Sequence, residues 1–412
     1  MSRTTDPVVI IGAGQAGGWV ALTIRQLQPD REVVLIGEED HPPYERPPLS
    51  KEVLSGKTAP ESTYLKPLDF YAENRIELRL KTTASGIDRD LKQVRLSDGA
   101  CLAYGTLVLA TGMRPRPLSV PGGDHPRVRA LRAMADLPEI RGHLTSGRRI
   151  VAIGAGFIGL EVAAVAVTAG CTVTVIEAAH HPLGRVVAPE VGRAMAARHE
   201  RRGISFRYGA SVASISDIDG QAAVHLADGE TILADLVLCG IGGIPNDDLA
   251  RSAGLECDNG ILVDEAGRTS DPLIYAVGDV CSQWSIALGR RIRLESWQNA
   301  QNQAIAVGRH IGGAPRPYTD LPWFWTDQYE DNFQIIGAPE RWERIIWRGS
   351  PEDDRFTAIY MDGNRIVAGN TLNNARDIRP LKQMILEGTP VDDALLRDTS
   401  TPLQKLQKKQ AA

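Results

Sequence analysis

The sequence predicts an α/β protein built on two Rossmann-like dinucleotide-binding domains. Two observations carry this. A glycine-rich turn occurs twice between an apolar strand and a helix, and in both copies the next strand ends in an acid. In the first copy Val8-Val9-Ile10-Ile11 runs into Gly12-Ala13-Gly14-Gln15-Ala16-Gly17. In the second, Ile150-Val151-Ala152-Ile153 runs into Gly154-Ala155-Gly156-Phe157-Ile158-Gly159. Glu38 follows Gly17 by 21 residues and closes Val33-Val34-Leu35-Ile36-Gly37; Glu177 follows Gly159 by 18 and closes Val173-Thr174-Val175-Ile176.

The chemistry needs that spacing. The first glycine permits a tight turn, the second lets the backbone approach a pyrophosphate, and the third lets helix and strand pack closely. The helix N-terminus then faces the phosphate charge, and the acid accepts hydrogen bonds from a ribose hydroxyl. One such turn arises often for packing reasons alone; two copies, each with strand, helix and acid, do not.

The duplication extends further. Val94-Arg95-Leu96-Ser97-Asp98-Gly99 parallels Val224-His225-Leu226-Ala227-Asp228-Gly229, each an alternating strand entering an Asp-Gly hairpin. Leu107-Val108-Leu109-Ala110-Thr111-Gly112 parallels Leu236-Val237-Leu238-Cys239-Gly240-Ile241-Gly242. The copies are offset by 142 residues at the glycine turn but by 130 at the hairpin, so the first carries an insertion. It reads as the proline-stiffened stretch His41-Pro42-Pro43-Tyr44-Glu45-Arg46-Pro47-Pro48-Leu49-Ser50-Lys51. Two roles fit its composition: a fixed wall beside a cofactor ring, or a plain surface loop.

Composition removes other classes. With 412 residues and 43% apolar content the chain can fill several cores, and a net charge of −5 lacks the basic excess of a nucleic-acid binder. The stretch from Ile150 to Gly170 is apolar, but glycines and Glu161 interrupt it, so it reads as strand and helix rather than a membrane span. Met1 to Pro7 shows no secretory signal pattern. The five cysteines (Cys101, Cys171, Cys239, Cys257, Cys281) include no CxxC or CxxxxC pair, which points to reduced thiols in the cytoplasm. No cluster-binding spacing and no metal site is expected.

Thr269-Ser270-Asp271-Pro272-Leu273-Ile274-Tyr275-Ala276-Val277-Gly278-Asp279-Val280 resembles the second flavin fingerprint of the glutathione-reductase superfamily. Finer motifs are similar to the oxygenase-coupled NADH:ferredoxin reductases within it. They are Arg46-Pro47-Pro48-Leu49-Ser50-Lys51, Leu131-Arg132, Phe157-Ile158-Gly159-Leu160-Glu161, Gly240-Ile241-Gly242 with Pro245-Asn246, Glu295-Ser296-Trp297-Gln298-Asn299-Ala300, and Pro322-Trp323-Phe324-Trp325-Thr326-Asp327-Gln328-Tyr329. The resemblance weakens only at the end, where Lys405 to Lys409 reads as a solvated tail.

The resemblance implies an FAD-binding domain at about 1–115 and 245–320, an inserted NAD-binding domain at 116–244, and a small α+β C-terminal domain at 321–412. It carries flavin contacts onto Gly14, Ala16, Glu38, Lys51, Ala84, Arg132, Asp279 and Trp297, beside Gly12, Gly17, Arg46 and Ala110-Thr111-Gly112. Some relatives have a smaller apolar residue in place of Trp297, a departure of this sequence from their pattern. For the second nucleotide the candidates are Gly154, Gly156, Ile158, Gly159, Glu177 and Gly242. Glu177 favours a free 2′-hydroxyl, and Ala178-Ala179-His180-His181 supplies no arginine for a 2′-phosphate, so NADH is expected over NADPH.

The implied catalysis is hydride transfer from NADH to FAD, with Lys51 stabilising charge on the ring and Glu161 or Glu295 as its partner. Trp297 either covers the nicotinamide side, relays electrons or simply packs. No cysteine precedes Cys101 to receive electrons, so they are expected to leave singly for a [2Fe–2S] ferredoxin serving an oxygenase. Two arginine groups, Arg290-Arg291-Arg293 and Arg341-Arg344-Arg348, either dock an acidic ferredoxin or pair with neighbouring acids. A rubredoxin reductase and a redox-controlled interaction protein like apoptosis-inducing factor are the alternatives.

Overall fold

The computed structural model describes residues 6–388 and 390–410. The stretch read for a signal segment falls mostly on residues 1–5, outside the described residues. The chain divides into two compact units, one comprising 1–46, 60–114 and 244–322, the other 47–59, 115–243 and 323–412.

The first unit is built on a five-stranded parallel sheet. Its strands run in the order Ile274–Ala276, Thr106–Leu109, Val8–Ile11, Val33–Ile36, Ile76–Arg79. Val8–Ile11 is buried along its whole length, as a central parallel strand covered on both faces must be. Alternation then sorts its side chains. Val9 and Ile11 meet Val94, Leu96 and Tyr104 of an antiparallel three-stranded meander on one face. Val8 and Ile10 meet Ala16, Val20 and Ile24 of the helix Gln15–Leu27 on the other. The helix Trp297–Ile311 joins that second core through Ala304 and Val307.

The second unit repeats the plan. Its parallel strands run Val128–Arg129, Leu236–Cys239, Arg149–Ile153, Thr172–Glu177, Ser205–Tyr208, so each copy places the strand before the glycine turn at its centre. Val151 and Ile153 again face a meander, through Ala222, Val224 and Leu226. The hairpins expected at Asp98-Gly99 and Asp228-Gly229 close with Gly99 at φ 88° and Gly229 at φ 96°.

Residues 323–372 add an antiparallel sheet, ordered Trp323–Gln328, Asp331–Ile336, Arg365–Leu372, Phe356–Asp362, Arg344–Gly349, with the helix Ile378–Glu387 against it. This sheet belongs to the second unit. Arg198, on the helix Pro189–Glu200, pairs with Asp331 at 2.9 Å, and both side chains are about 5% exposed or less. Tyr360 accepts the backbone N–H of Ala188 at 3.0 Å.

One of the two roles left open for the insertion falls, and one expectation changes. The insertion is not a surface loop: Leu49, Ser50, Val53 and Leu54 are all buried, and residues 47–59 pack within the second unit, where Arg141 donates to the carbonyls of Val53 and Leu54. The expected tail instead forms the helix Leu403–Gln410, because Leu403 and Leu406 are buried. No helix among the described residues is long and apolar enough to cross a membrane.

Breaking one partner of a buried ion pair leaves the other charge uncompensated, at a cost of about 3–5 kcal/mol. Arg198→Met should therefore lower the stability of the second unit by about that amount in urea unfolding. A midpoint unmoved by the substitution would show the Arg198–Asp331 pair to be dispensable.

Candidate functional site

Both glycine turns have the same geometry, and it explains each glycine. Gly12 sits at φ 111°, and a Cβ there would stand 2.2 Å from the Ala110 carbonyl oxygen; at Gly17 it would stand 1.9 Å from the Gly12 oxygen. At Gly14 a Cβ would meet nothing within 4 Å, so this position opens on free space. In the second copy a Cβ on Gly154 (φ 99°) would lie 2.5 Å from the Gly240 oxygen and one on Gly159 2.1 Å from the Gly154 oxygen, while Gly156 is open to 4.0 Å. Gly14 and Gly156 are the N-caps of their helices, and no side chain caps either helix or puts an acid in its first turn. The terminal N–H groups are thus left for an anion, and each cradle fits a dinucleotide pyrophosphate.

Around the first cradle the first unit gathers most of the expected flavin residues. Ala16 is buried, and a Cβ on Gly278 would lie 3.0 Å from its methyl group. Asp279 follows in the short turn Gly278–Val280, which Gln303 fixes by accepting the Gly278 N–H at 2.8 Å. Gln15 donates to the Trp297 carbonyl at 3.1 Å, tying the glycine-turn helix to the start of Trp297–Ile311, where Ser296 caps by accepting the Asn299 N–H. Thr111 donates its hydroxyl to the Asn246 carbonyl at 2.7 Å, and Gly112 accepts the Asn246 N–H at 3.0 Å. Glu38 is exposed just past its strand, and Ala84 opens the meander strand Ala84–Asp88.

Arg46 is held by Glu39 at 2.6 Å and by the Tyr44 hydroxyl at 2.9 Å. Burial opposes its charge, but Tyr44, Glu39 and Asp279 together raise its pKa above the ordinary value. Arg132 lies in the second unit, its backbone N–H donated to Asp136 at 2.8 Å.

In the second cradle Glu177 does more than the sequence suggested. Its two carboxylate oxygens accept the N–H groups of Ala155 at 2.7 Å and Ala179 at 2.8 Å, clamping the strand end to the glycine turn and keeping lone pairs for a ribose hydroxyl. Ile158 is 41% exposed at the helix start. A cation missed by the sequence reading stands nearby: the Arg185 guanidinium lies 3.2 Å from where a Cβ on Gly242 (φ 104°) would be. Its signal was its place in the loop, eight residues past Glu177.

The expected Lys51 pair is resolved. Lys51 Nζ lies 2.9 Å from Glu161 Oε1, with side chains 9% and 5% exposed. Glu161 also accepts the hydroxyl of Ser50 and that of Thr326 at 2.6 Å, and Lys51 donates to the Pro47 carbonyl at 3.2 Å. Glu295 is not the partner, because Arg293 engages it at 2.7 Å. Thr326, on the C-terminal sheet, was invisible as a site residue at 165 residues' separation from Glu161.

Residues 6–304 match the family model of pyridine nucleotide-disulphide oxidoreductases. The chain belongs to that family. Residues 323–407 of this oxidoreductase match a second model, the reductase C-terminal domain. It is 42% identical to putidaredoxin reductase of Pseudomonas putida, covering 98% of this chain and 97% of the relative. It is 40% identical to the ferredoxin–NAD(+) reductase component of the anthranilate 1,2-dioxygenase system of Burkholderia cepacia, over 97% and 99% of the two. Its fold matches the reductase in the covalent putidaredoxin reductase–putidaredoxin complex with a TM-score of 0.96 at 41% identity, covering all of both chains. FAD and NAD(H) are the two dinucleotides this oxidoreductase uses.

Despite the family's name, the oxidoreductase carries no disulfide: all five cysteines are free, and burial pushes the Cys281 thiol up to about 12. Its arginine groups are largely engaged internally. Arg291 donates to the carbonyls of Val263 and Ser282, and Arg344 pairs with Asp393 at 2.7 Å. Arg348 is buried, donating to the carbonyls of Leu396, Asp398 and Thr401, so it is a structural clamp rather than a docking residue.

Removing Glu177 deprives two backbone N–H groups and a ribose of an anionic acceptor. Hydrogen bonds to charged groups are worth about 1.5–3 kcal/mol. Glu177→Ala should therefore weaken NADH binding roughly tenfold or more, read by anaerobic titration, and leave FAD content unchanged.

Proposed function

We propose that this oxidoreductase passes electrons from NADH through FAD to a [2Fe–2S] ferredoxin that supplies an oxygenase, a dioxygenase or a P450. The observation that carries the reading is the pair of cradles, each shaped by glycines where no Cβ fits, in a chain lacking a cysteine pair to divert electrons inward. Relatives named as ferredoxin reductases, similar over nearly the full chain, support it. We assign the flavin to Gly12, Gly14, Ala16, Gly17, Glu38, Arg46, Asp279 and Trp297, and the nicotinamide nucleotide to Gly154, Gly156, Gly159, Glu177 and Gly242.

Bound FAD supplies the switch from two-electron to one-electron chemistry. The chain's own contribution is positional and electrostatic. To Lys51, a buried lysine held by Glu161, we assign the role of stabilising negative charge on a reduced flavin ring, as the resemblance implies. Glu177 selects NADH by repelling a 2′-phosphate, and Arg185 offers a cation to the nucleotide's pyrophosphate. Five free cysteines fit a cytoplasmic setting.

NADH-driven reduction of cytochrome c should require an added [2Fe–2S] ferredoxin. With Arg290 reversed in charge, the coupled rate should fall while flavin reduction by NADH persists; Arg291, engaged on main-chain carbonyls, is the poorer probe of the two. Equal cytochrome c reduction without ferredoxin would refute the electron-transfer assignment. A coupled rate indifferent to ionic strength would refute only electrostatic docking.

A further inference from the structure

Glu161 is the last acceptor of a chain of hydrogen bonds that crosses the second unit's interior. Thr326 donates to Glu161 at 2.6 Å, Gln328 Nε2 donates to the Thr326 hydroxyl oxygen at 3.1 Å, and His199 Nε2 lies 2.7 Å from Gln328 Oε1. The Tyr329 hydroxyl lies 3.0 Å from His199 Nδ1. Glu161, Thr326, Gln328 and His199 are each 4% exposed or less.

The anion dictates every direction. A carboxylate only accepts, so the Thr326 proton points at Glu161 and its oxygen is left to accept. Gln328 must then present its N–H to Thr326 and its oxygen to His199, which fixes the imidazole proton on Nε2. His199 Nδ1 is left an acceptor, so Tyr329 donates. Burial lowers the His199 pKa to about 4, against the Gln328 bond and Asp331, which raise it, and with Arg202, which lowers it further. The ring is therefore neutral, as this direction requires. Arg202 stacks over the Tyr329 ring at 4.2 Å, polarising the phenol toward donation. Tyr329 holds φ 60°, a left-handed conformation that is costly for a bulky residue, in the two-residue turn linking Gln328 to Asp331.

We propose that Thr326, Gln328, His199 and Tyr329 are positioning residues forming a one-way donor chain, which competes with Lys51 for the Glu161 carboxylate and so leaves the lysine available for its assigned role toward the flavin. This rests on the assignment of Lys51 to the flavin made above. Aligned bonds in a buried setting polarise one another, so interrupting one weakens the rest.

The test uses the full-length holoprotein and reads the FAD midpoint potential by spectroelectrochemistry. Losing one donor to a charged acceptor should shift the oxidised–reduced equilibrium about tenfold toward oxidised flavin, a fall of about 30 mV for two electrons. Thr326→Val should show it, Gln328→Leu should shift the same way, and Thr326→Ser should restore the parental value. In a Lys51→Met background Thr326→Val should add nothing, since its effect runs through that ammonium. Lys51→Met leaving the potential unmoved would overturn the Lys51 assignment and the chain's role with it. A shift with Lys51→Met but none with Thr326→Val, or an undiminished Thr326→Val shift in the Lys51→Met background, would overturn the chain alone. Imidazole ¹⁵N shifts give an independent reading: His199 should carry its proton on Nε2, and a proton on Nδ1 would refute the direction.

Discussion

The structure depends on one steric demand made twice. A central strand must become a helix within a few residues, with the turn folded so tightly that Gly17 lies against the Gly12 carbonyl and Gly159 against that of Gly154. Only glycine survives at those contacts, and the reward is a helix terminus with open space before it. Everything else in each half serves to hold that turn still. A meander fills one face of the sheet, the helix fills the other, and the neighbouring strand returns a carbonyl to the turn, from Ile36 to Gly12 and from Ile176 to Gly154, each at 2.8 Å.

The second demand is electrostatic. A carboxylate as buried as Glu161 must be surrounded by donors, and they come from two separate stretches, Ser50 and Lys51 on the insertion and Thr326 on the C-terminal sheet, meeting on the helix Phe157–Thr168 that carries Glu161. The insertion and the added sheet, which look like unrelated ornaments on a duplicated fold, thus converge on one charge.

What was legible in the sequence was whatever repeats or has a fixed period. The strands, the Asp-Gly hairpins and both glycine turns were readable because each is announced by a local pattern that occurs twice, whereas the pairing of Val8–Ile11 with Thr106–Leu109, and of Thr106–Leu109 with Ile274–Ala276, joins stretches that no local pattern links. Lys51 was readable as a site residue only through its motif, and its partner stayed open between Glu161 and Glu295 because both are acids at plausible places. Arg293 settles it by engaging Glu295. Arg348 looked like part of a basic surface, yet it is spent on main-chain carbonyls around Leu396 to Thr401, contacts that no local pattern announces. Around the final lysine-rich stretch, where Lys405 is exposed as expected, polar composition hid the buried Leu403 and Leu406, and with them the helix.

The second unit is assembled from residues 47–59, 115–243 and 323–412, three stretches that leave the ribosome far apart in time. The first unit's last segment ends at Pro322, so its sheet can close before the stretch 323–412 has been made. Glu161 is synthesised well before its donor Thr326, and Arg198 well before Asp331. Until the stretch 323–412 has folded, Glu161 lacks its Thr326 donor and Arg198 its Asp331 partner, so the second unit can bury these two charges only when all three of its stretches are in place.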